Sequence, residues 1–200
     1  MTEVRVGPLV FSSLYEAIRE LLPERLEFYE NWLHGDRLPD RRGSPAPMAA
    51  VLGFLRTEGP NYDRVMERAG QVAAVWTVEA LTPWKRTAAA RLPAALRARA
   101  AVRVVSSLVR SVHEPSRLSR RMRRGQVELD VTASLFCAVR EAPRAPLCRF
   151  YLAAVLETLR QFNLTAQGRL TDCRAIGGSR CGMVVSWSEP RLAQNPAEAA

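Results

Sequence analysis

Residues 126–133 read Gln-Val-Glu-Leu-Asp-Val-Thr-Ala. Val127, Leu129, Val131 and Ala133 alternate with Glu128, Asp130 and Thr132, the period of a half-buried strand. Upstream of this stretch the apolar residues recur at helical spacing, so it marks the switch from a helical region to a sheet-forming region. The strand reading can be extended as far as Val139. Downstream, Pro146 opens a segment of high apolar content, residues 147–162, whose polar side is thin: Arg149, Glu157, Arg160 and Gln161. A helix with so little polar surface is expected to lie between two layers. Residues 166–175 and 182–187 then form an antiparallel hairpin, with Gly177-Gly178-Ser179 as its turn. The fold class that follows is α+β: N-terminal helices packed on a small antiparallel sheet, completed by a C-terminal strand–helix–strand–strand unit.

The helical region is read from its punctuation. Residues 4–11 suit a short strand or extended arm. Ser13 and Glu16 have capping-box spacing, which places a helix start there. Leu14, Ile18, Leu21 and Leu22 follow, and Pro23 opens a second helical piece. Residues 34–47 read as a loop. A short apolar helix spans 48–56, Gly59-Pro60-Asn61 breaks it, and a longer helix spans 62–81. The next helix starts near Pro93 and runs to about His113, with Leu96, Ala100, Val104, Leu108 and Val112 on one arc and Arg99, Arg103, Ser106 and Arg110 on the other side. At 200 residues the expectation is one domain, 1–188, with a helical region over 1–113, a sheet-forming region over 126–188, and a disordered tail over 189–200.

The hydrophobic fraction of 48% and charged fraction of 24% exclude wholesale disorder. No apolar run is long enough to span a membrane. The first residues, MTEVRVGPLV, lack the features of a signal peptide, so a cytoplasmic protein is expected. The net charge of +9 is concentrated: residues 85–125 hold twelve basic groups and one acid, against 17 basic and 19 acidic groups elsewhere. Arg117, Arg120, Arg121, Arg123 and Arg124 lack aromatic or base-reading companions. They read as a solvated loop, and nucleic acid is not an expected partner.

His34 and His113 are the only histidines. No metalloprotease, nucleophile-elbow, P-loop or dinucleotide motif accompanies them, so no catalytic residue is assigned. Trp32, Trp76, Trp84, Phe136 and Tyr151 can line an apolar pocket or fill the core. The four cysteines are expected to be reduced. Cys173 and Cys181 flank the hairpin turn, and Cys148 lies in the first turn of the preceding helix. These three thiols either form a metal site with a fourth ligand from elsewhere or serve as small packing groups.

Residues 126–187 resemble the 4-vinyl-reductase-like domain. The resemblance is carried by VTASLFCAV, APLCRFYLAAVLETL and LTDCRAIGGSRCGMVVSW, with Cys173, Ala175, Gly177 and Cys181 as its closing hairpin pattern. RAGQVAAVWTVEAL and LPAALRARAAVRVV are similar, more loosely, to its helical region. The resemblance implies the fold shared with TRAPP subunits, a pocket for a small hydrophobic or aromatic molecule, and a homodimer. On that reading Trp76, Trp84, Phe136 and Tyr151 bind the ligand, with a tetrapyrrole among the candidates, for sensing or delivery. It also implies structural zinc on Cys148, Cys173 and Cys181, and otherwise no cofactor. The family glutamate that completes the zinc site is Leu170 here, so Asp172 or Cys137 has to substitute. The alternatives are a protein–protein interaction scaffold and, third, a nucleic-acid accessory protein.

Overall fold

The computed structural model describes residues 5–33, 45–84, 87, 91–138, 143 and 145–190. Its first helix, α1 (Pro8–Leu21), starts on a proline at its first turn, five residues ahead of the expected cap. Ser13 is buried within the helix and its hydroxyl donates to the Val10 carbonyl. The reason is phase: Val10, Phe11, Leu14, Ala17 and Ile18 make one buried face, which requires the turn before Ser13 to be helical too. Of the expected arm, Val6 stays extended and bridges His113.

A 3-10 turn (Pro23–Arg25) leads into α2 (Leu26–Leu33). Of the loop read over 34–47, residues 34–44 lie outside the described residues, and α3 (Pro45–Thr57) has already begun. Gly59, at φ 61°, separates α3 from α4 (Pro60–Glu79). The helix expected near Pro93 is α5 (Ala94–Val112). The tail expected over 189–200 falls, from residue 191, outside the described residues. Glu189 is described, and its carboxylate accepts from Arg97 at 2.7 Å.

Four strands form one sheet in the order β1-β2-β4-β3, with every neighbouring pair antiparallel. They are β1 (Arg117–Arg123), β2 (Gln126–Thr132), β3 (Thr165–Leu170) and β4 (Gly182–Ser188). The α+β class therefore stands. The arginine-rich run is not a loop but β1. Its pairing sets Leu118 opposite Val131 and Met122 opposite Val127, while Arg117, Arg121 and Arg123 alternate onto the other face. Arginine on an edge strand hides the two-residue period and also discourages pairing with another chain. Gly125, at φ 69°, closes the turn into β2. That strand ends at Thr132 rather than nearing 139, because Ala133 takes φ 50° and a 3-10 turn (Leu135–Cys137) follows.

α6 (Arg149–Gln161) lies between layers, as its composition implies. It packs on α4 and α5 on one side and on β3 on the other. At Gly70 the α4 backbone approaches α6 so closely that an added Cβ would run into the Phe150 carbonyl oxygen. Gly70→Ala should therefore destabilise the protein by ~1–3 kcal/mol through overpacking. Urea unfolding of the variant measures this; an unchanged midpoint would show that the two helices are not in backbone contact.

Candidate functional site: a four-cysteine cluster

Four separate segments each deliver one thiol to the same point. Cys137 ends the 3-10 turn after β2. Cys148 is the N-cap of α6, where its carbonyl accepts from the Tyr151 amide at 3.1 Å. Cys173 caps a 3-10 turn (Arg174–Ile176) after β3, and its carbonyl accepts from the Ile176 and Gly178 amides at 3.2 and 3.0 Å. Cys181 precedes β4 and is fixed twice to β2. Its amide donates to Asp130 Oδ1 at 3.2 Å, and its carbonyl accepts from the Val131 amide at 3.0 Å.

The four Sγ atoms all lie within 4.8 Å of one another. Cys137 is central, at 3.2 Å from Cys148, 3.5 Å from Cys173 and 3.4 Å from Cys181, and Cys148 lies 3.8 Å from Cys173. All four are free thiols. Cys148, Cys173 and Cys181 are fully buried and Cys137 half-buried. The electrostatics are lopsided. Contacts with Cys137 and Cys181, with burial added, push the Cys148 thiol strongly up. Contacts with Cys137 and Cys148 draw Cys181 down toward the thiolate, to about 2. Thiolates this close repel one another, so the four sulfurs do not all ionise unaided. Further ionisation at such spacing needs a cation to offset the accumulated negative charge.

The sequence brings together what its hairpin geometry promised, Cys173 with Cys181, and places Cys148 against them. Leu170 contributes no ligand atom. Asp172 takes part in the hairpin turn instead, accepting from Ser179 Oγ at 3.3 Å, and Cys137 occupies the fourth corner. Two supporting groups have no sequence signature: Asp130, which reads as an outward strand residue, and Ser134, whose Oγ lies 3.7 Å from Cys148 Sγ.

The four aromatic residues read as ligand contacts are dispersed. Phe136 and Tyr151 meet with ring centroids 5.0 Å apart, joined by Phe150. Trp76 is half-buried on α4, and Trp84 is 68% exposed. The Tyr151 hydroxyl is buried without a hydrogen-bond partner, and burial pushes its ionisation up.

His113, at the end of α5, has Nδ1 2.9 Å from Ser116 Oγ and 3.0 Å from the Ala133 carbonyl. A carbonyl only accepts, so Nδ1 carries the ring proton. Two open clefts among the described residues have volumes of about 510 and 440 Å³ and mix apolar with charged lining. The larger is lined by residues such as Glu67, Glu157, Arg160 and Asn163, the smaller by residues such as Arg5, Arg110 and Glu114. Neither includes a cysteine or a histidine. No described helix is long and apolar enough to cross a membrane.

No family model and no curated protein sequence matches the chain. Solved structures do. An H-NOX protein from K. algicida, Fe(II) and unliganded, superposes with a TM-score of 0.60 at 12% identity, covering 94% of this chain and 100% of that one. The H-NOX domain from Shewanella oneidensis in the Fe(II)CO state gives 0.57 at 14% identity, covering 92% and 99%. The S. oneidensis protein in the Fe(II)NO state gives 0.55 at 12% identity, also covering 92% and 99%. The likeness is one of fold.

These findings overturn the resemblance to the 4-vinyl-reductase-like domain and its TRAPP-like fold. That resemblance rested on cysteine spacing, which reports that thiols converge but not which family converges them. The expectation of structural zinc, or otherwise no cofactor, falls with it: it was carried by that family's ligand set, whereas the H-NOX neighbours are Fe(II) proteins.

The pH dependence of stability offers one check on the surroundings of the cluster. Burial lowers the His113 pKa below its ordinary value, partly offset by its bond to Ala133. The unfolded chain therefore binds a proton that the folded chain resists, and stability falls as pH drops through ~6.5 toward the depressed folded value. His113→Asn should flatten this slope in unfolding experiments between pH 7 and 5. An equal slope in the variant would place the acid sensitivity elsewhere.

Proposed function

We propose that this chain is a non-catalytic sensing domain whose working site is the cluster of Cys137, Cys148, Cys173 and Cys181, taking up one thiophilic metal ion through four thiolates. The observation that carries the reading is the convergence of four free Sγ atoms, from four segments, within 4.8 Å. A tetrahedron with metal–sulfur bonds of ~2.3 Å has sulfur–sulfur edges of ~3.8 Å, within the range spanned by the cluster. Thiolate ligands select soft cations over oxygen-seeking ones. A site with all four corners supplied by protein leaves no open position for substrate or water, which favours sensing over catalysis. Because the thiols tie β2, α6, and the β3–β4 connection together, occupancy would be felt across the sheet and its covering helix. An apolar ligand would need the space that Phe136 and Tyr151 fill, so the thiols are preferred as the sensing element.

A second reading, self-association, is favoured by one patch. Phe28, Trp32 and Phe54 are 46%, 41% and 39% exposed, and their rings touch one another across α2 and α3. A second copy of the chain covering this patch would make the expected homodimer. Light scattering of the wild type and of Phe28→Glu tests it: a dimer converted to a monomer supports the reading, and a wild-type monomer at micromolar concentration removes it.

Co(II) titration of the reduced protein tests the metal reading. One equivalent should produce the intense thiolate-to-cobalt and visible bands of tetrahedral coordination, and Cys137→Ser and Cys181→Ser should each abolish or blue-shift them. Asp130→Ala, which frees the Cys181 amide, should weaken affinity by ~10-fold while leaving the spectrum tetrahedral. Weak, octahedral-type spectra unaffected by the serine variants would overturn the proposal.

A further inference from the structure

We infer that this chain keeps the H-NOX fold without accommodating a porphyrin, because its own side chains occupy the interior. A porphyrin slot has to be enclosed as well as several hundred Å³ in volume, and it exposes the side chains that line it; the two clefts described above are open, and charged residues line both. Among the described residues, α1, α4, α5, β2 and α6 each carry closed inward positions. Leu14 on α1, Met66 on α4, Val102 and Leu108 on α5, Val127 on β2 and Val155 on α6 are each 0% exposed. A large vacancy beside any of them would leave open surface on it. These residues belong to one continuous buried cluster.

Helix spacing gives an independent argument. The α4 backbone at Gly70 meets the Phe150 carbonyl of α6 with no room for even a methyl group, so no flat macrocycle passes between those helices. The end of α6 nearest the thiols is filled by an aromatic plug. Phe136, Phe150 and Tyr151 have ring centroids 4.9–5.7 Å apart and at most 1% exposure. The plug is built from residues beside the cysteines, Phe136 before Cys137 and Phe150 and Tyr151 just after Cys148, so thiol cluster and filled core are neighbouring regions of one structure.

Among the described residues, the histidine and the cysteines do not face an open site. Haem iron is held by a histidine, thiolate, methionine or tyrosine facing an open site. His113, the one histidine among the described residues, is 8% exposed. The cysteines are engaged with one another, and Tyr151 lies inside the plug. The neighbours named above carry iron in Fe(II) states; this chain retains their backbone arrangement with a solid centre. The inference does not depend on the metal reading of the thiols.

The test is haem loading of the full chain, with an H-NOX protein from S. oneidensis treated in parallel as the positive control. Expression with a haem precursor, followed by hemin titration of the purified protein, should give substoichiometric, non-saturating absorbance that does not shift on reduction and exposure to CO. Thermal unfolding should be unchanged by hemin. A saturable one-to-one complex with a CO-responsive Soret band, lost in His113→Ala or His34→Ala, would overturn the inference, and so would a protein that purifies already holding stoichiometric haem.

Discussion

The architecture hangs on α6 being held from both sides. One flank meets α4 backbone-to-backbone at Gly70 and lies against α5, and its other flank lies against β3. A helix covered this way has few places for polar side chains. Arg149, Glu157 and Arg160 keep to its margin, where they form ion pairs with Asp63 and with each other. The close approach also fixes where the N-terminus of α6 points, and therefore where Cys148 stands. From there, the chain connections on either side of α6 bring the other thiols: Cys137 from the turn after β2, and Cys173 and Cys181 from the β3–β4 connection.

The thiol cluster and the filled interior have one cause. The residues that deliver Cys137 and Cys148 also deliver Phe136, Phe150 and Tyr151 into the core. Burying these three rings contributes several kcal/mol by apolar area alone, and it helps fix the cysteine backbones. The orphaned Tyr151 hydroxyl costs ~1–3 kcal/mol of that gain. Two nearby serines are turned elsewhere: Ser116 donates to the Ala133 carbonyl, and Ser134 lies against Cys148.

Much of the fold was legible in the sequence because its signals are local. The alternation over 126–132 marked β2, the thin polar side of 149–161 marked a sandwiched helix, and Gly59-Pro60 marked the break between α3 and α4. The misreadings occurred where tertiary context outweighs local pattern. Ser13 has capping chemistry, yet the buried face of α1 extends the helix to Pro8. The arginines of β1 look like solvent-exposed loop, yet Leu118 and Met122 pair with β2. At the site, two cysteines were placed by hairpin geometry and a third by the helix start. Cys137 was one of two candidates for the fourth corner, and no one-dimensional pattern chooses between it and Asp172. The choice is made by the turn that Ala133 imposes at the end of β2. Asp130 was invisible as a support because its role depends on the register of β2 against β4.

The central claim is that four cysteine sulfurs surround one point in this fold and can hold one metal ion there. X-ray absorption spectroscopy of the protein loaded with one equivalent of Co(II) reads that directly. The account predicts a single shell of four sulfur scatterers at ~2.3 Å. A first shell dominated by nitrogen or oxygen, or one with fewer than three sulfurs, would contradict it.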